Sequence, residues 1–360
     1  QMCIRDRLHG ELLFAPGSAA RYETPEFQVT VHNNALGLRG AEVLVARTPG
    51  VKRVLALGDS FTWGWGVADE ESWPAVVQNV LSPPDGSIEV VNGGEPGADP
   101  LDYVRNARRL IPVLKPDLVV VGILQGDDVE QLRGHRARHS MLARIRTTAK
   151  TLLPNLSGLA NRWSTSLFPI TDIGGRWRQQ AQAVLTKLTP DQRQRFDALD
   201  PELQSAFKEG RINPFLVVLA LRRPDYFLTA ADVDRVREPA KLLTETLKDL
   251  ATVASANGCD VLVLSIPYLA YVSPSTLQQH RRIGFELPEQ LTVSDDPDRT
   301  IRDAAREAGL ACVSFNAAFR DQCATQALYF PLDGHLNQSG HRFLAEQLAP
   351  ILQSRLQPDP

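Results

Sequence analysis

The sequence predicts an α/β protein: a five-stranded, mostly parallel sheet covered by helices on both faces, with a helical insertion. Three observations predict it. Short apolar runs alternate with longer stretches of helical periodicity, the pattern of strand-helix-strand units. The runs are apolar throughout, as in Leu118-Val119-Val120-Val121, which suits strands buried on both faces. One long stretch, 133–234, interrupts the alternation with a mostly helical pattern of its own.

The elements follow in order. Residues 1–50 form a lead-in. Within it Gln1-Met2-Cys3-Ile4-Arg5-Asp6-Arg7 has the look of a translated sequencing adapter, so 1–7 are expected to be artefactual and any export signal to be missing. Residues 8–50 read as short strands and turns. Glu26-Phe27-Gln28-Val29-Thr30-Val31 alternates, and Asn33-Asn34 and Gly37-Leu38-Arg39-Gly40 punctuate it. Lys52-Arg53 reads as a solvated approach to the first core strand, 53–57. A helix around 70–81, a strand at 88–92, a helix around 101–114 and a strand at 118–124 come next. After the insertion, a helix around 238–257 leads to a strand at 260–266. A helix around 298–308 leads to a strand at 311–315, and a helix over 338–354 closes the chain. The core is thus expected in two pieces, 51–132 and 235–356.

The insertion carries Trp163, Trp177 and two further helix signals, Thr189-Pro190-Asp191 and Ile212-Asn213-Pro214; Thr189 should cap a helix that starts at Pro190. It reads as a cap. A second, shorter insertion spans 268–297. Both leave carboxyl ends of strands, the edge where open α/β sheets bind ligands, so both are expected to shape a substrate site.

Bulk properties exclude several classes. A net charge of −3 gives no electrostatic case for a nucleic-acid surface, and the basic cluster 133–146 reads as a solvated helix face. Cys3, Cys259, Cys312 and Cys323 form no CxxC pair, which argues against a zinc site or a disulfide framework. No apolar run reaches the ~20 residues of a membrane span. There is no phosphate-loop or dinucleotide fingerprint and no metal-ligand cluster. Compartment and oligomeric state are not set by these features.

The chemistry concentrates at two places. Gly58-Asp59-Ser60-Phe61 follows the apolar run Val54-Leu55-Ala56-Leu57, so a strand ends in a glycine-flanked serine and turns into a helix. That arrangement exposes a nucleophile at a sheet edge. Asp333-Gly334-His335-Leu336-Asn337 lies near the other end. Ser, His and Asp are the groups acyl transfer needs: Ser60 as nucleophile, His335 as a base that works near neutral pH, and Asp333 as its partner. The Ser60 N–H would be one donor of an oxyanion hole. Trp63 and Trp65 follow the nucleophile; they either line an acyl or sugar pocket or pack the nucleophile helix.

These blocks, with Val91-Asn92-Gly93-Gly94-Glu95-Pro96-Gly97 and Leu124-Gln125-Gly126-Asp127-Asp128-Val129 between them, resemble those of the SGNH/GDSL hydrolase superfamily. The likeness covers about 50–130 and 235–350, and Gly37-Leu38-Arg39-Gly40-Ala41-Glu42 is similar to the segment before the nucleophile in many bacterial members. The resemblance implies a three-layer α/β/α fold, flavodoxin-like in outline. It implies no cofactor, and ester hydrolysis through an acyl-enzyme. It makes Gly94 the second oxyanion donor. Two departures matter. The family spacing is Asp-x-x-His and this chain has Asp-x-His, a form similar to that of members acting on acetylated polysaccharide. Either Asp333 orients His335, or the imidazole leans on a backbone carbonyl. The family also places Asn where this chain has Asp127, and an ionised carboxylate only accepts hydrogen bonds. Asp127 is then protonated and donates, or Gln125 supplies the amide, or the site is retuned. The resulting expectation is a serine esterase acting on a small-molecule or carbohydrate ester, with carbohydrate O-acetyl esters preferred. An O-acetyltransferase of the same chemistry and a catalytically degenerate glycan-binding protein are the alternatives.

Overall fold

A computed structural model describes residues 14–81, 87–133 and 173–357. The expectations for residues 1–7, for Cys3, for Trp163 and for most of the basic cluster lie outside the described residues.

Five strands build the core sheet: β3 (Lys52–Leu57), β4 (Ile88–Asn92), β5 (Leu118–Leu124), β6 (Asp260–Ile266) and β7 (Ala311–Ser314). They lie in the order β4-β3-β5-β6-β7, and every pairing among them is parallel. Before them, β1 (Ala19–Glu23) and β2 (Gln28–His32) pair as an antiparallel hairpin.

The two-residue alternation of a strand divides the sheet's side chains between two helical layers. Val54 and Ala56 of β3, with Leu118, Val120, Leu262 and Leu264, face the helices Trp73–Leu81 and Gln338–Leu356. Leu55 and Leu57, with Val119, Val121, Val261 and Val263, face Pro100–Leu114, Arg237–Ser255 and Asp296–Glu307. The result is a three-layer α/β/α fold. Burying one such side chain is worth about 1.5–3 kcal/mol, and a one-residue slip of a strand would exchange its two faces, so the register is firmly specified.

Helix starts follow the sequence signals. Asp99 accepts from the N–H groups of Leu101 and Asp102 at the head of Pro100–Leu114, and Thr189 accepts from Gln192 at the head of Pro190–Asp197. Lys52-Arg53 is a correction: Arg53 is buried, with its guanidinium paired to Glu89 at 2.6 Å and donating to the Leu114 and Leu44 carbonyls.

Between β5 and β6 the described residues form Asp127–Gln131, Ile173–Leu185, Pro190–Asp197, Pro201–Lys208, Pro214–Arg222 and Tyr226–Ala230, all helical. Phe196, Phe207, Val217 and Leu221 join the same apolar cluster as Val54 and Leu118, so these helices extend the core layer. After β6 come the helices Leu269–Val272 and Pro274–Ile283.

The chain leaves β3 for β4 on one side and later returns to β5 on the other. The carboxyl ends of β3 and β5 therefore flank a topological switch point, where an open α/β sheet leaves a crevice. Ser60 follows β3 and Asp127 follows β5.

Candidate active site

β3 is buried to its last residue, and the chain then turns sharply. Asp59 caps the short helix Ser60–Trp63 by accepting from Phe61 N–H at 2.9 Å, and Gly64 ends it in a left-handed conformation, donating to the Ser60 carbonyl. Ser60 is half-buried at the start of this turn, and its own N–H has no hydrogen-bond partner among the described residues. The lead-in holds the other end. Arg39 is buried; it donates to the carbonyls of Trp63 (2.7 Å), Gly64 and Val67 (2.6 Å), pairs with Asp69 at 2.9 Å, and lies over the Trp63 ring.

The second half arrives on the loop after Tyr329. Phe330 N–H donates to the His335 carbonyl at 2.8 Å and Gly334 N–H donates to the Phe330 carbonyl at 3.0 Å, which closes a tight turn. Gly334 has φ +85°, and a Cβ there would meet His280 Nε2, Leu269 and the Tyr268 hydroxyl at 3.1 Å, so glycine is required in the middle of Asp-x-His. Asn337 then caps the closing helix through Gly340 N–H.

The Ser60 Oγ lies 2.7 Å from His335 Nε2, and His335 Nδ1 lies 2.5 Å from Asp333 Oδ1. Asp333, rather than a backbone carbonyl, is the imidazole's partner. The other oxygen of Asp333 accepts from Trp65 Nε1 at 3.3 Å, and the Phe61 ring packs 4.7 Å from the imidazole. Burial alone would push the Asp333 carboxyl up. The facing His335 charge, its hydrogen bond and that of Trp65 outweigh burial and hold it below the usual carboxylate range. Burial likewise works against charged His335, but Asp333, Asp59 and Asp127 outweigh it and raise the imidazole's affinity for a proton. Asp59 itself is fully enclosed, and its burial pushes it to about 7.

The oxyanion region differs from expectation. Gly94 N–H donates to Asn92 Oδ1 at 3.0 Å, so this donor is already used. Gly94 is glycine for another reason: a Cβ there would lie 2.4 Å from Trp63 N, against the backbone of the nucleophile helix. Gly97, in the same turn, is exposed, and its N–H has no partner among the described residues. The sequence signal for it was present in the repeated glycine of the block, but spacing alone does not say which N–H is left open.

Asp127 is half-buried, and both its oxygens accept: Oδ1 from the Tyr226 hydroxyl and Oδ2 from Gln131 Nε2, each at 2.6 Å. Burial raises its pKa, and these two hydrogen bonds oppose the rise only in part. Gln125 is a correction. It is fully buried, and its amide donates to Ser265 (3.0 Å) and Asn316 (2.6 Å), away from the nucleophile, because the turn after β5 directs it between β6 and the helix Asn316–Cys323. Trp63 is a second correction: 1% exposed, it packs on Tyr22, Phe14 and Arg39. Trp65 remains half-buried beside the imidazole, with ring centroids 6.1 Å apart.

Among the described residues, no group of three or more His, Cys, Asp or Glu side chains is placed to hold a metal ion, and no helix is long and apolar enough to cross a membrane.

No family model matches the sequence, and no curated protein matches it. Among solved structures the chain is similar to TesA, with 16% identity over 85% of this chain and 100% of that one, at a TM-score of 0.43. It is similar to a member of the lipolytic protein G-D-S-L family from Veillonella parvula, with 11% identity over 85% and 100% and a TM-score of 0.41. It is also similar to a catalytic mutant of Axe2, an acetylxylan esterase from Geobacillus stearothermophilus, with 16% identity over 87% and 98% and a TM-score of 0.41.

Proposed function

We propose that the chain is a serine ester hydrolase working through an acyl-enzyme. The observation that carries this is the unbroken connection from Ser60 Oγ through His335 to Asp333. Ser60 Oγ attacks the ester carbonyl carbon while His335 Nε2 takes its proton. Asp333 fixes the tautomer with the proton on Nδ1 and stabilises the imidazolium. The tetrahedral oxyanion accepts from the N–H groups of Ser60 and Gly97, which have no partner among the described residues and lie in the turns after β3 and β4. Collapse expels the alcohol, which takes the proton from His335, and water then repeats the sequence to release the acid.

Asp127 enters this scheme as a paired acceptor. With both oxygens engaged by Tyr226 and Gln131, it is not the third donor. The hole has two donors and a neighbouring carboxylate, which retunes the site toward slower turnover. The preferred substrate class is a carbohydrate O-acetyl ester, a reading supported by the Asp-x-His form of the last block.

The test is labelling of the purified protein with a fluorophosphonate probe, beside acetate release from acetylated xylan. Labelling and acetate release that both vanish in Ser60→Ala are expected. A well-folded native protein that does not label would overturn the reading. Acetyl transfer to a sugar acceptor in place of acetate release would reassign the chain as a transferase.

A further inference from the structure

The loop that carries Asp333 and His335 is held from outside by a residue of the N-terminal hairpin. Glu26 lies in the turn between β1 and β2. That turn is fixed by Thr24, whose Oγ1 accepts from Glu26 N–H at 3.2 Å and Phe27 N–H at 3.1 Å. Phe27 seats the hairpin against Trp65 and Phe330, with ring centroids 6.1 and 5.1 Å away. From there the Glu26 carboxylate spans the start of the loop: Oε1 accepts from Leu332 N–H at 2.8 Å and Oε2 from Asp333 N–H at 2.7 Å. These are charge-assisted bonds, stronger than neutral ones, and they engage both carboxylate oxygens.

Resting on the acyl-transfer reading above, we infer that Glu26 is a positioning residue for the Asp333–His335 pair: it fixes the loop's backbone and adds a negative charge that favours the imidazolium formed in the transition state. The charged groups facing His335 are Asp333 on its own loop, Glu26 on the hairpin, Asp59 on the nucleophile turn and Asp127 after β5, with His341 of the closing helix as the further titratable group. Glu26 differs from the other carboxylates in reaching the pair from the N-terminal hairpin, outside the α/β core. A short displacement of a catalytic group can cost up to about a hundredfold in rate, so two backbone bonds at the base of this loop have kinetic weight.

The test uses the full chain as the native protein, E26Q and E26D. The titration of His335 is followed by NMR at its Cε1–H without substrate, and kcat and KM are measured on p-nitrophenyl acetate. In E26Q the His335 titration should move to lower pH, and kcat should fall between about tenfold and a hundredfold with KM little changed. E26D keeps the charge on a shorter arm that cannot span both N–H groups. There kcat should fall while His335 titrates as in the native protein, which also covers an E26Q that does not fold. An unmoved titration in folded E26Q, or a native kcat in E26D, overturns the inference. Failure of the esterase reading is separate: it shows as native hydrolysis no faster than that of Ser60→Ala, whereas the His335 titration needs no turnover.

Discussion

Tyr226 donates its hydroxyl to Asp127 across 2.6 Å and so ties the helices between β5 and β6 to the turn that ends β5. The bond also makes Asp127 an acceptor toward the helix of Tyr226. An amide at this position would offer N–H groups toward a developing oxyanion; a carboxylate held by Tyr226 and Gln131 offers lone pairs.

Replacing that carboxylate should therefore speed the reaction. Asp127→Asn is expected to raise kcat by up to about a hundredfold, the scale of one oxyanion donor, and to hasten fluorophosphonate labelling in parallel. Tyr226→Phe removes one of the two bonds that stabilise ionised Asp127, so it should raise the Asp127 pKa further. Parallel stopped-flow labelling of the three proteins decides the matter. A slower Asp127→Asn would mean that the carboxylate itself takes part in turnover.

The pH dependence follows from His335. On the proposed mechanism the active base is the neutral imidazole, and Asp333, Asp59 and Asp127 raise its pKa above the ordinary value of about 6.5. Activity should then be lost as pH falls through a value higher than 6.5. Asp333→Asn removes the charge and leaves a neutral amide that no longer fixes the tautomer, so the acid limb of kcat/KM should move to lower pH while kcat drops roughly 10²- to 10⁴-fold. A limb that stays in place would mean that Asp333 does not set the imidazole's charge.

Much of this architecture was legible in the sequence. β5 reads as a strand because all seven of its residues are apolar or glycine, and all seven are buried. Ser60 and His335 stand out because each sits where an apolar element gives way to a turn rich in Gly, Asp or Asn. The directions of neighbouring side chains were not legible. Trp63 and Trp65 are two positions apart, and only the fold shows that Arg39 encloses the first while the second reaches Asp333. Gln125 stands in a block of chemical residues, yet its amide turns toward Ser265 and Asn316. Gly94 and Gly97 share one turn, and it is Asn92 that takes the N–H of Gly94. Glu26 gave no signal, because its partners lie at the far end of the chain and are backbone N–H groups common to any sequence.

Two other histidines should leave a signature in stability. His341 is enclosed; its burial lowers its pKa to about 3, and burial lowers that of His280 to about 4. Both lie below the unfolded value of about 6.5. Above that pH both states are neutral and these groups contribute no pH dependence. Below it the unfolded chain takes up protons that the folded chain refuses, so their contribution is destabilising as pH falls from about 6.5 toward 4. His341 Nδ1 accepts from Trp73 N–H at 3.3 Å. His341→Gln keeps an acceptor there without the titration. Its stability should fall less steeply than native over this window, by up to about 1.4 kcal/mol per pH unit. Urea unfolding at several pH values measures the difference, and parallel slopes would contradict the assignment.

The two tryptophans beyond the nucleophile should separate stability from turnover. Trp63 is enclosed by Phe14, Tyr22 and Arg39, and its Nε1 has no partner among the described residues, so its contribution is packing. Trp63→Phe should lower stability by about 1–3 kcal/mol, the usual cost of a poorly filled core site, and leave the kinetics of the folded fraction close to native. Trp65 is half-buried, and its indole N–H bonds to the carboxylate that orients His335. A hydrogen bond to a charged group is worth about 1.5–3 kcal/mol. Trp65→Phe keeps the ring and loses that donor, so kcat should drop about tenfold or more with little change in unfolding midpoint. Because Asp333 then loses a bond that stabilises its ionised form, its pKa should rise. Thermal unfolding and kcat measured on the same two preparations test this, and the reverse pattern, with Trp65→Phe unstable and Trp63→Phe slow, would show that the roles are exchanged.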